Sequence, residues 1–180
     1  MSAITAADSR TWTKSRMIEV DSLLPEDCVC SGVIANSRKA VLEWVADRLA
    51  TAHPGTSSRA LFSALMERER LGSTGLGEGV AVPHCRLDCP RLMGALLSLT
   101  RPVSFDAPDG EPVDLLFVLV APQDEPSAHL DALAVVAQVF GNPAERAGLR
   151  SAGSADALKQ RFVAAAQRAA PLPDARQALP

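Results

Sequence analysis

No stretch of the sequence reaches the ~18 consecutive apolar residues of a membrane span, and the opening MSAITAADSRTWTKSR lacks the apolar core of a secretory signal. A cytoplasmic protein without membrane insertion is therefore expected. A large excess of either charge is also lacking: 18 Lys and Arg stand against 21 Asp and Glu, the net charge is −3, and the basic residues are scattered. Such a chain has no field to gather polyanions, which excludes nucleic acid as the expected partner. Cysteine is sparse. Cys28-x-Cys30 and Cys85-x3-Cys89 invite comparison with a zinc site, but Cys-x-Cys is tighter than the usual knuckle, so no metal and four reduced thiols are expected. Histidine is scarcer still, with only His53, His84 and His129, which gives each one weight. Nucleotide signatures are absent as well: no Lys-Ser or Lys-Thr pair follows the glycine-rich loop, and Gly75, Gly77 and Gly79 do not make the dinucleotide spacing. No cofactor is implied.

What is present is a segment of thirteen residues, GSTGLGEGVAVPH from Gly72 to His84, with four glycines, two hydroxyls and one carboxylate before a short apolar run. Glycines let a backbone bend sharply and offer its amides to an anion. Val80, Ala81 and Val82 read as a buried strand that Pro83 stops, which leaves His84 at the strand's end beside a loop suited to phosphate.

With 180 residues and 47% hydrophobic content, the chain suits a single domain with a substantial core. Residues 1–16 read as a flexible leader, 17–168 as the domain and 169–180 as a flexible, proline-rich tail. Met17–Leu24 suggests a short helix or turn, and Val29–Ile34 a strand. Ser37 is placed to cap a helix to Ala52 that carries Val41, Trp44, Val45 and Leu49 on one face. Ser57 or Ser58 caps a second helix to Arg70, with Leu61, Phe62 and Leu65 inward and the run Glu67 to Arg70 as a solvated last turn. Strands follow at Gly79–Val82, Met93–Thr100, Val103–Phe105 and Val113–Val120, the last nearly continuous in apolar residues and so central. The Asp109-Gly110 turn makes a hairpin. Ser127 is expected to cap a helix with Leu130, Leu133, Ala134 and Ala137 inward. Pro143 opens another, and Ser154 begins a last one with Leu158, Phe162 and Ala165 inward. Strands interleaved with helices predict an α/β fold, a mixed β-sheet flanked by helices on both faces.

MERERLGSTGLGEGVAVPHCRL, then FDAPDGEPVDLLFVLVAP, then HLDALAVVAQVF closely resemble the fructose/mannitol-type enzyme IIA of the bacterial phosphotransferase system, and especially its nitrogen-regulatory branch. The likeness runs from Ile18 to Gln167. It implies the IIA sandwich fold and a phosphocarrier activity in which His84 accepts a phosphoryl group from the phosphohistidine of an HPr-like carrier. It also implies that His129 and Arg68 help hold the phosphoryl oxygens and that Glu78 is the loop carboxylate. On spacing alone Arg68 is an end-of-helix charge and His129 a surface histidine; the resemblance gives both a site role. Cys85 departs from the pattern, because a small residue often follows the phosphorylated histidine.

Phosphoryl transfer between imidazoles needs position and charge compensation more than added chemistry. One nitrogen of His84 must be unprotonated. The other should donate to a backbone carbonyl or to Glu78. Amides of the loop, with Ser73, Thr74, Gly75 and Gly77, are candidates to bind the phosphoryl oxygens, and Arg68 with protonated His129 to neutralise them. Downstream, regulated partner proteins or a IIB protein of a sugar permease would read or receive the phosphate. A non-catalytic interaction or sensor module is the reading from another class.

Overall fold

The structure is a computed structural model that describes residues 20–124 and 126–169. The expected leader lies outside the described residues, as do the tail beyond Ala169 and the start of the Met17–Leu24 element. Residues 20–23 are helical, and Leu23 and Leu24 are buried.

The sheet is organised around β6 (Val113–Pro122), which pairs antiparallel with β5 (Met93–Val103); β5 in turn pairs parallel with β1 (Val29–Val33). On its other side β6 pairs parallel with β3 (Val80–Ala81) and β4 (His84–Leu87), and β3 pairs antiparallel with β2 (Gly75–Gly77). Alternation along β6 divides the core in two. Leu116, Val118 and Val120 face the layer made by α1 (Arg38–Ala52) and α2 (Ser58–Arg70). Leu115, Phe117 and Leu119 face α3 (Pro126–Gly141), α4 (Pro143–Arg150) and α5 (Ala155–Arg168). An uninterrupted apolar strand is what a sheet covered on both faces requires, and the expected mixed α/β sandwich is the observed fold.

Capping hydroxyls set the helix starts. Ser37, Ser57 and Ser154 each accept the N–H of a residue three further on, and Asn142 accepts those of Ala144 and Glu145 ahead of α4. Of the two serines offered for α2, Ser57 is the cap. The helix expected to start at Ser127 begins one residue earlier, at Pro126.

Three expectations are corrected. The two strands expected at Met93–Thr100 and Val103–Phe105 are not separate: β5 runs unbroken from Met93 through Pro102 to Val103, with a register shift against β6 between Ser98 and Val103, and Ser104 and Phe105 lie beyond its end. Pro83 does not end the pairing with β6 either. Val80 aligns with Leu115 and His84 with Leu119, so β3 and β4 keep one register, and the Pro83 carbonyl accepts the Leu119 N–H at 3.0 Å. The inward stripe of α3 is rotated from its expected phase: Leu130 is 62% exposed and Ala137 is exposed, whereas His129, Val136, Val139 and Phe140 are buried. Packing on Phe162 selects this face, with Phe140 edge-on to its ring at 6.0 Å.

Candidate active site

His84 opens β4, whose one pairing partner among the described residues is β6. Helices from both layers therefore reach it around the strand's edge, α2 from one face and α3 from the other. The Nδ1 of His84 lies 2.8 Å from the Val82 carbonyl oxygen. A carbonyl can only accept, so Nδ1 carries the proton and Nε2 keeps its lone pair. Arg68, in the last turn of α2, donates Nε–H to that Nε2 at 3.2 Å and NH1 to the Gly72 carbonyl at 3.0 Å. Burial holds the half-buried His84 ring below its ordinary pKa near 6.5. The Val82 carbonyl works against this, Arg68 adds to it, and Glu69 opposes it. The ring is neutral at neutral pH, with a nucleophilic nitrogen turned toward a guanidinium.

His129 completes the group, with ring centroids 5.6 Å apart and planes inclined by 58°. Its Nδ1 accepts Nε–H of Arg86 at 3.3 Å, so the neutral ring carries its proton on Nε2. That Nε2 is buried and has no partner among the described residues. Burial lowers the pKa of His129, and His84 and Arg86 lower it further. The sequence suggested a protonated imidazolium; the geometry instead gives a neutral ring with an unused N–H donor.

The structure brings Arg68, His84 and His129 together but not Glu78. The Glu78 carboxylate, 74% exposed, pairs with Arg146 at 3.4 Å, and the Val82 carbonyl takes the proton that Glu78 was offered. Glu78 serves the turn between β2 and β3. At a φ of 54° it donates its N–H to Asp109 at 2.7 Å, and that bond is the main reason the Asp109 carboxyl sits below its usual pKa.

The loop hydroxyls are likewise committed. Ser73 donates to the Phe105 carbonyl and accepts the Gly75 N–H, while Thr74 donates to Glu69 Oε2 at 2.6 Å and is 4% exposed. Gly75 packs so tightly on Ala107 that a Cβ would lie 2.7 Å from that residue's methyl, and Gly77 holds a φ of 91°. These glycines build a hairpin braced against the β5–β6 connection.

Two residues escaped the sequence reading. Glu69 was placed in a solvated turn, yet it is 6% exposed, accepts from Thr74 N and Thr74 Oγ1, and forms an ion pair with Arg38 at 3.5 Å. Arg86 was not singled out, although His84-x-Arg86 on a strand puts both side chains on one face. Cys85, between them, points into the core, where burial pushes its thiol up to about 12. Cys28 is likewise raised to about 11 by burial. His53 caps the C-terminus of α1, away from this group's network of bonds.

The arrangement is an imidazole with a free nitrogen, flanked by a guanidinium and an N–H donor. Residues 22–164 match the family model described as phosphoenolpyruvate-dependent sugar phosphotransferase system, EIIA 2, and the chain belongs to that family. Over 145 residues it is 43% identical to a nitrogen regulatory protein of Pseudomonas aeruginosa, covering 80% of this chain and 94% of that one. The crystal structure of nitrogen regulatory protein IIA-Ntr from Neisseria meningitidis superimposes with a TM-score of 0.76 at 34% identity, over 80% of this chain and 99% of that one. The IIA mannitol protein of Escherichia coli, in complex with phosphorylated IIB, has a TM-score of 0.66 at 16% identity, over 79% and 99%, which is a likeness of fold. Among the described residues no helix is long and apolar enough to cross a membrane.

Proposed function

We propose that this member of the nitrogen-regulatory IIA group is a cytoplasmic histidine phosphocarrier, which takes a phosphoryl group from an HPr-like phosphohistidine protein and acts on partner proteins according to its charge state. The observation that carries this reading is the Val82 bond, which leaves Nε2 of His84 unprotonated between Arg68 and His129. The Nε2 lone pair attacks phosphorus in line. A new N–P bond forms as the donor's N–P bond breaks, and the departing electron pair returns to the donor imidazole. No proton has to move, because Nδ1 keeps its own throughout. Arg68 turns from Nε2 to the phosphoryl oxygens, and the Nε2–H of His129 supplies a second donor. Neither a metal nor a nucleotide enters the step.

Phosphorylation adds roughly −1.5 to −2 charges at one point on the surface, which is a signal that a partner can read. Incubation with phosphoenolpyruvate, enzyme I and an HPr-like carrier tests the proposal. The expected product is an acid-labile, alkali-stable phosphate that His84→Ala loses, whereas absence of labelling leaves only an interaction module. The fold likeness to a IIA protein bound to IIB favours a second reading, a permease subunit that passes phosphate to IIB. Rapid discharge by a IIB protein with formation of sugar phosphate would select it over the regulatory one.

A further inference from the structure

We infer that Arg86 is a positioning residue for phosphoryl transfer, holding the His129 ring so that its Nε2–H stands ready for a phosphoryl oxygen. The inference rests on the phosphocarrier reading of His84. Its own support is geometric. β4 alternates, so Cys85 enters the core while His84 and Arg86 project to the side on which α3 lies. His129, 6% exposed, comes down from α3 to meet both: its ring lies against His84, and its Nδ1 takes the Arg86 Nε–H.

A guanidinium is the one side chain that never accepts and is always charged, so it fixes the ring in a way that a hydroxyl or amide would not. The bond settles two questions at once, which nitrogen carries the proton and which way the ring faces. It leaves the other nitrogen as a buried donor with no partner among the described residues, available to an acceptor oxygen. Arg86 and His84 are also the groups whose charge acts on His129, and both disfavour the imidazolium. The neutral donor is thereby maintained, and the cation behind it polarises the N–H toward incoming negative charge. Arg86 itself is exposed, so its replacement leaves the core intact.

The test combines imidazole nitrogen NMR with transfer kinetics on the wild type, Arg86→Met and Arg86→Lys. The wild-type His129 is expected as a single Nε2–H form that titrates below 6.5. In Arg86→Met the ring should populate both tautomers and titrate higher. Its turnover with the phosphorylated carrier should fall on the order of ten-fold at unchanged KM, the scale of losing an orienting partner. Arg86→Lys, which keeps a cationic donor, should recover most of the tautomer purity and rate. An unchanged His129 spectrum in Arg86→Met would overturn the inference, as would a lysine variant as defective as the methionine one. A wild type that takes no phosphate would instead defeat the phosphocarrier reading, and the nitrogen spectra would still report on Arg86.

Discussion

Replacing Glu69 by glutamine should cost about 2–4 kcal/mol of stability, although the residue sits in a run of four charges at the end of a helix. Its carboxylate is buried and receives two donors of Thr74, the N–H at 3.1 Å and the hydroxyl at 2.6 Å, with Arg38 beyond. Bonds to a charged acceptor contribute about 1.5–3 kcal/mol each, and an orphaned buried donor costs about 1–3. Glutamine keeps one oxygen. It turns an NH2 group toward a hydroxyl that can reorient and removes the charge assistance from both bonds, which gives the stated range. For a domain of this size the thermal midpoint should fall by about 5–15 °C, with urea unfolding showing the same loss at an unchanged slope. The site should suffer too, because this anchor fixes the turn from which the neighbouring Arg68 reaches His84. A loss below about 0.5 kcal/mol would mean that Glu69 is solvated and would refute the burial argument.

Four further outcomes are expected. Phosphoryl uptake should be flat through neutral pH and decline only below 6.5, since His84 must be neutral and its pKa is lowered in the folded state; rates that halve at or above pH 7 would contradict this. His53, His84 and His129 are all lowered, so the unfolded chain binds more protons. Their contribution is complete above about 6.5 and is lost as pH falls through the folded values, which urea titrations at a series of pH values will show. Gly75→Ala should destabilise by about 1–3 kcal/mol, because its methyl would sit 2.7 Å from that of Ala107; a neutral thermal melt would show that the hairpin yields. His129→Ala should slow charging of His84 without abolishing it, and a variant charged at the wild-type rate would remove His129 from the mechanism.

Periodicity made most of the architecture legible. Val41, Val45 and Leu49 on α1, Leu158 and Phe162 on α5, and the apolar run of β6 are buried as their spacing predicts. The misplacements share a cause, which is that tertiary partners decide what a local pattern leaves open. The apolar residues of α3 are dense enough to allow more than one phase, and only contact with Phe162 and the turn of His129 toward His84 select the one adopted. Pro83 looked like a terminator because its missing donor was read without its carbonyl, which accepts from Leu119. Glu69 looked solvated because nothing in its neighbours announces that Thr74 folds back over it. The nucleophile was readable from the loop and the resemblance. The carbonyl that sets its tautomer and the arginine behind His129 became visible only with the strand in place.

The account stands most directly on which nitrogen of His84 takes the phosphate. Phosphorus–nitrogen coupling in the nitrogen-labelled, charged protein should place the phosphoryl group on Nε2, with the Nδ1 proton still bonded to the Val82 carbonyl. Phosphate found on Nδ1, or on another residue, would contradict it.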